Sequence, residues 1–433
     1  MSRNRDVSHD ELVDHIRTHA IWSGTTDPNA DVGEFAAFDS VLADVRVIGL
    51  GEATHRTREF VRLKHRFFRY LVEHHGVRLF GLEAPFSETM ALHDYVVHGH
   101  GNLDAILDRI GFRIYETEEM VAFLRWLRDF NERRPPSDRI EVYGFDVQSA
   151  VGPAEALLSS FDDPSVSPPP DDVIGSLSSV AKGVFEGEDV NEERLRRAEA
   201  VVSTLAGRFE SKVDVGSDDA NPDPSIAKQH WRTLQRACEF ARTGMEADRS
   251  EQWGLRDRYM AETVAWILDH ADANRIAVWA HDNHVKRGRL TGDGHPSKTM
   301  GEHLASRYGD GYHALGGQFG QGTVRAWVPT DGDGEIEVDG RDLSMTEIPV
   351  PEPIEGAIPA VFSDLGDQVV LLEFRSLPDD GRLGRWLGEE RSHHFVAGVV
   401  DPDDRRNFYR DYAPVQAFDG LFFVREASPT TPR

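Results

Sequence analysis

The sequence predicts an α/β fold: a mostly parallel sheet covered by helices on both faces, with a helical subdomain inserted midway. Three observations predict it. Over the first 150 residues, short apolar runs alternate with segments of helical periodicity, the rhythm of strand–helix–strand units. From Val151 to Ser250 that rhythm gives way to Pro/Asp/Ser stretches separated by helix-like segments. Strand signals then return and continue to the last apolar run, FDGLFFVRE. The implied organisation is 1–150 for the amino-terminal half of the α/β domain, 151–255 for the insertion and 256–433 for the carboxyl-terminal half.

The elements follow in order. Val45–Leu50 reads as a strand, and Thr57–His75 as an amphipathic helix, with Phe60, Leu63, Phe67, Phe68 and Leu71 at helical spacing and Gly76 as its stop. Val77–Leu82 is the next strand and runs into Glu83-Ala84-Pro85; Ser87 or Thr89 is the expected cap of the helix through Val97. Glu118–Asn131 is a helix that stops before Pro135-Pro136, and Ile140–Phe145 is a third strand ending at Asp146. In the insertion, SFDDPSVSPPPDD and VGSDDANPDP read as loops, NEERLRRAEAVVSTLAGRF and SIAKQHWRTLQRACEFA as helices. Met260–His270 leads into a strand at Arg275–Ala280, and GEHLASRYG, His313–Phe319 and Val369–Phe374 continue the alternation. The glycine-rich ALGGQFGQG at 314–322 reads as strand and turn. His74-His75 is expected at helix-terminal carbonyls and His393-His394 at the surface.

Bulk properties exclude several classes. With 75 acidic against 48 basic residues the formal charge is −27, which repels nucleic acid and anionic membranes. Six of the basic residues are lysines and the rest arginines; this acidic, lysine-poor balance resembles proteins of extreme halophiles. No apolar run approaches the roughly 18 residues of a membrane span, and the opening MSRNRDVSHDELVDHI lacks a secretory apolar core, so a cytoplasmic location is expected. The single cysteine, Cys238, sits in a helical pattern and leaves no intramolecular disulfide.

The chemistry concentrates after three strands. The first ends at GEATHRTREF, with Glu52, Thr54 and His55; the second at Glu83; a late one at His281, Asp282, Asn283 and His284. In open α/β sheets ligands bind beyond the carboxyl ends of the strands, so these side chains are expected to share one cleft. Such a set supplies acid, base and metal-binding capacity. There is no Gly-x-Ser-x-Gly elbow and no phosphate-binding fingerprint.

The blocks GEATHRTREF, GLEAP, VYGFDVQ, RDRYMAETVAWIL and VWAHDNHV, in this order, resemble the erythromycin esterase family across roughly Val45–Phe423. The resemblance implies a three-layer α/β/α sandwich with a deep cleft, esterase chemistry on macrolides, and no required cofactor. It implies His55 as general base, with Glu83, His281 and His284 in the catalytic set, which Glu52 joins from the reading of the first strand's end. Lys64, nine residues after His55, falls on the family's basic position. Arg256, Thr54, Asp282 and Asn283 join Lys64 as expected substrate-binding residues. Two departures stand out: Arg56 where the family usually has Gly, and Asp282 where it usually has Asn. Arginine adopts positive φ less readily than glycine, and an added aspartate is expected to raise neighbouring histidine pKa values.

The expected reaction is hydrolysis of a small-molecule ester or lactone by water. An imidazole titrates near 6.5, so His55 suits proton removal from water. Glu52 or Glu83 would hold its other nitrogen, His281 or His284 would polarise the carbonyl and protonate the leaving group, and Lys64 and Arg256 would stabilise the oxyanion. Two other readings stay open. Three histidines and two carboxylates are compatible with a divalent metal, Zn²⁺ or Mn²⁺, activating the water. A homologue that binds ligand without turnover would retain the same cleft.

Overall fold

The computed structural model describes residues 8–159, most of 192–203, 224–246, 249–290, 297–330, 334, 336–338, 341–378, 381–396 and 398–433. The loops expected at SFDDPSVSPPPDD and across most of VGSDDANPDP lie outside the described residues.

Strands β1 (Ile21–Ser23), β2 (Val47–Leu50), β3 (Leu79–Pro85), β4 (Glu141–Asp146), β5 (Ile276–Trp279), β6 (Tyr312–Pro329), β7 (Ile336–Val338), β8 (Arg341–Val350), β9 (Val369–Glu373) and β12 (Gly420–Ala427) form one ten-stranded sheet. A separate antiparallel pair joins β10 (Arg391–His394) to β11 (Tyr409–Tyr412). The main order is β1-β9-β12-β6-β2-β5-β3-β4, with the β7–β8 hairpin attached to the far end of β6. From β12 to β4 every neighbouring pair is parallel; β9, β1, β8 and β7 pair antiparallel.

Helices cover both faces, because the strands alternate their apolar side chains. Ile48, Leu50, Phe80, Leu82, Ala277 and Trp279 face a core built with helix α2 (Arg58–His74) and the helix Glu118–Asn131. Val47, Leu79, Ile276, Val278, Tyr312 and Ala314 face the opposite core, built with α1 (His9–His19) and the long helix Arg249–His270. The architecture is thus an α/β/α sandwich with a mostly parallel sheet. In the insertion, helix Val151–Ser159 and helix Pro224–Glu246 pack Ala154, Leu157, Leu234, Ala237 and Cys238 into a small cluster of their own. The Arg249–His270 helix runs continuously across position 255.

Local details differ from expectation in four places. The helix Phe86–His98 starts without a side-chain cap: the Ser87 hydroxyl pairs with His230, 2.8 Å away, and Thr89 donates back to the Pro85 carbonyl. The ring of His75 turns to Asp39 and the Tyr70 hydroxyl rather than to helix-end carbonyls. His393 and His394 are fully buried, not on the surface, because the β10–β11 ladder folds them against Tyr412 and Tyr409. The glycine-rich run at 314–322 is one uninterrupted part of β6, with no turn.

One irregularity shapes the site edge. β3 and β4 pair in register to Leu82 and Gly144, then shift, so that Pro85 meets Asp146. The extra residue on β3 re-aims the segment holding Glu83, as bulges do. Gly144 makes the close approach workable: a Cβ there would meet the Ala84 carbonyl and lie 2.7 Å from that of Pro85. Gly144→Ala is expected to destabilise the fold by about 1–3 kcal/mol through overpacking, read from denaturant midpoints at unchanged m-value.

Candidate functional site

The parallel strands end side by side, and the sequence-predicted residues converge there. β5 lies between β2 and β3, so the segments after Leu50, Leu82 and Trp279 are neighbours although more than 200 residues separate the first from the last. Two hydrogen bonds knit them together. The Asp282 amide donates to the Glu52 carbonyl at 2.9 Å, and the His281 amide donates to Glu83 Oε2 at 2.9 Å.

Glu52 holds the first half of the site. Its Oε1 accepts from His55 Nδ1 at 2.7 Å, while Oε2 accepts from Lys64 Nζ at 2.6 Å and Trp279 Nε1 at 3.2 Å. The Lys64 ammonium also sits 4.0 Å from the centre of the Trp279 ring, a cation–π contact. Burial opposes ionisation of Glu52, but Lys64 and His55 outweigh it and hold the carboxyl at about 2. Burial brings Lys64 down to about 8, against the pull of Glu52. His55 side-chain exposure is 23%, against 4% for Glu52 and 1% for Lys64, so the imidazole reaches solvent and its partners do not.

Glu83 anchors the second half. Arg256 Nη2 donates to Glu83 Oε1 at 2.8 Å and to Asp146 Oδ2 at 2.7 Å, and its Nε donates to Asp146 Oδ1 at 3.0 Å. His284 Nδ1 donates to Asp257 Oδ1 at 2.7 Å. In its neutral form Nε2 accepts from Arg256 Nη1 at 3.0 Å; protonated, it faces Glu83 Oε1 at 3.3 Å. Burial disfavours the His284 imidazolium, yet Asp257 and Glu83 outweigh it and raise the pKa. Burial likewise works against the Glu83 carboxylate, and His284 and Arg256 overcome it to hold Glu83 far below the usual carboxylate range.

His281 lies between the halves, its ring 5.1 Å from that of His55. Its Nδ1 accepts the Asn283 amide at 3.1 Å, which puts the proton on Nε2, where the Ala53 carbonyl accepts at 3.2 Å. Burial, reinforced by His55, lowers its pKa to about 3. Both nitrogens are therefore engaged within the protein, and the ring is neutral. The ring nitrogens of both His281 and His284, expected to polarise the carbonyl and donate a proton, meet groups of the protein here.

The expected substrate-binding residues divide in the same way. Lys64 and Arg256 belong to the buried pairs behind the imidazole, and their charges face carboxylates rather than solvent. Thr54 is buried and donates to the His55 carbonyl. Asp282 is buried, its Oδ1 accepting from the Gly317 amide at 2.9 Å and its Oδ2 without a hydrogen-bond partner among the described residues. A Cβ on Gly51 would collide with Asp282 and lie 2.9 Å from the Leu315 carbonyl, so glycine there makes room for the carboxyl. Burial pushes Asp282 up to about 8. The acid is thus largely neutral at pH 7; burial lowers the pKa of neighbouring His281 instead of its being raised as expected, and the rise at His284 comes from Asp257 and Glu83. Asn283 is half-buried, as is Arg56. Arg56 takes φ 59°, the left-handed region that glycine would occupy freely.

Sequence reasoning left Asp146 and Asp257 out of the set. Asp146 ends β4 and Glu83 directly follows the regular part of β3, a parallel that points to the same cleft. Asp257 stands next to Arg256 within the RDRYMAETVAWIL block that carries the family resemblance, and that is its one signal. The donors expected for a metal are already engaged. Glu52 and Glu83 are each matched by a buried cation, and both nitrogens of His281 are committed. Among the described residues no three His, Cys, Asp or Glu side chains are grouped to hold an ion.

Comparison with known proteins shows similarity along nearly the whole chain. The chain is 26% identical to erythromycin esterase type II from Escherichia coli over 93% of its own length and 94% of that protein's. A crystal structure of a Bacillus cereus protein superposes with a TM-score of 0.79 at 22% identity, covering 98% of this chain and 99% of the other. A mutant of the erythromycin esterase EreC, solved in its open conformation, superposes at 0.67 with 18% identity over 94% and 97%. The family profile described as erythromycin esterase matches residues 72–427, most of the chain. The chain belongs to the erythromycin esterase family.

Proposed function

We propose that this esterase-like hydrolase cleaves a carboxylic ester or lactone by direct attack of water, with His55 as the base. The observation that carries the reading is the Glu52–His55 hydrogen bond of 2.7 Å beside a solvent-reaching imidazole. Glu52 accepts at Nδ1 and so leaves the Nε2 lone pair free to take a proton from water. The hydroxide adds to the ester carbonyl, and the imidazolium returns its proton to the departing alkoxide. Glu52 stabilises that imidazolium, and Lys64 keeps Glu52 ionised. Asn283, half-buried beside His281 and Asp282, is the nearby amide that substrate would meet. Glu83, Arg256, Asp146, His284 and Asp257 act as the rigid support that holds the His281–Asn283 backbone through Glu83 Oε2.

Proton linkage follows from the buried groups. Glu52 is depressed from 4.5 to about 2 and His281 from 6.5 to about 3. Both bind protons more readily when unfolded, so their contribution is complete above about pH 6.5 and is lost as pH falls, first through His281 and then through Glu52. Asp282 has the opposite sign. Its pKa is raised from 3.8 to about 8, so its contribution is complete below 3.8 and is lost as pH rises through 8.

Three measurements test this reading. A panel of 4-nitrophenyl acetate, simple lactones and erythromycin, run in high and low salt with and without chelator, is expected to show hydrolysis that survives chelation. His55→Gln is expected to lower kcat on the order of 10³-fold; near wild-type turnover by this variant on a cleaved substrate would sink the assignment. Asp282→Asn is expected to raise the melting temperature above wild type at pH 8 and to flatten its decline between about pH 6.5 and 8, the window in which His281 no longer offsets the loss. An unchanged profile would mean that Asp282 is ionised throughout.

A further inference from the structure

Arg56, next to the proposed base, is held at φ 59°. A non-glycine residue there costs about 1 kcal/mol or more and persists only where the surroundings over-determine it. The guanidinium reaches Met345 Sδ at 2.8 Å, and the backbone of the turn meets residues 428–433, more than 370 positions away in sequence. The Thr430 amide donates to the Arg56 carbonyl at 2.8 Å, and the Arg58 amide donates to the Ser428 carbonyl at 2.9 Å. Further along, the strap is tied to helix starts. Glu59 accepts from the Ser428 amide and hydroxyl at 2.8 and 2.6 Å, and Glu119 accepts from the Thr431 amide at 3.0 Å. The Glu118 amide donates to the Thr431 carbonyl at 2.9 Å. On the other side of the turn, the Val396 amide donates to the Ala53 carbonyl at 2.7 Å. The turn carrying His55 is thus clamped from both sides by backbone that reads no side chain of the turn itself.

We propose that residues 428–433 are a positioning strap of the hydrolytic site, holding Arg56 left-handed so that the His55 imidazole stays against Glu52. The proposal rests on the reading of His55 as the base. Thr430 is a positioning residue: it acts through the Arg56 carbonyl and touches no reacting atom. A glycine at position 56 would adopt the same φ without strain, so the need for the strap is tied to the arginine.

The test combines turnover of 4-nitrophenyl acetate with the ¹⁵N resonances of His55, measured on the full chain labelled at histidine and assigned through their loss in His55→Gln. Thr430→Pro removes the donor to Arg56, and Glu119→Ala loosens the strap further along, which serves should the proline variant fail to fold. Each is expected to shift the His55 Nδ1 resonance toward free imidazole and to lower kcat about tenfold with KM within about twofold, the signature of a misplaced base. Adding Arg56→Gly is expected to restore most of both losses. Strap variants that leave resonance and kcat at wild-type values would overturn the proposal. So would losses that Arg56→Gly does not restore, since those report general packing. If the wild type does not turn over the probe, the resonance alone decides for or against the strap, and the failure falls on the hydrolytic reading.

Discussion

The site depends on one carboxylate meeting three donors where water barely reaches. Glu52 divides its oxygens, Oε1 for the imidazole and Oε2 for the Lys64 ammonium and the Trp279 indole. A buried carboxylate without such partners would protonate rather than stay charged. Here the donors come from three elements: the turn after β2, helix α2 and strand β5. Each contact that keeps Glu52 ionised therefore also fixes the position of one element against another. Orientation of the imidazole is the outcome of that packing, because Nδ1 has a committed acceptor before any substrate arrives.

The second cluster obeys the same constraint with more members. Glu83 and Asp146 share Arg256, and His284 spans Asp257 and the Arg256–Glu83 pair. Removing one partner of such a pair typically costs about 3–5 kcal/mol, because it strands a charge in a poor solvent for it. Between the clusters lie a neutral ring and a largely neutral acid, His281 and Asp282, each with its pKa moved toward the uncharged form by burial. The site edge thus alternates matched charges with neutral polar groups, and the neutral groups spare the network further counter-ions.

Much of this was legible in the sequence, and the limits have physical reasons. The β2–α2 unit was readable because Phe60, Leu63, Phe67 and Leu71 repeat at helical spacing after an apolar run. The convergence of Glu52, His55, Glu83 and His281 was readable because parallel strands deliver their carboxyl ends to one edge. Which cation answers which acid was not readable. Arg256 reaches Asp146 across 110 positions and Glu83 across 173, and nothing local marks either pairing. His393 and His394 looked like surface residues because a four-residue polar strand carries no periodic signal; the β11 partner that buries them lies in another part of the sequence. The glycines of β6 resembled a turn, whereas they serve close packing: a Cβ on Gly316 would lie 2.9 Å from the Phe418 ring, and one on Gly317 2.8 Å from the Glu52 Cα.

Lysine at position 64 is itself informative in a chain with six lysines among 48 basic residues. The pocket offers this cation one carboxylate oxygen at 2.6 Å and an aromatic face at 4.0 Å. A guanidinium would bring five N–H donors in a fixed plane and a charge that cannot be shed. Most of those donors would find no acceptor between Glu52 and Trp279, and a buried donor left unsatisfied costs about 1–3 kcal/mol. An ammonium is compact enough to point at a single oxygen while resting on the indole. At position 256 the demands reverse: two carboxylates and an imidazole lie around one cation, and the arginine fork reaches all three. The two cations are therefore not interchangeable. Their identities follow from how many acceptors each cluster presents, and that number is set by which strands end beside it.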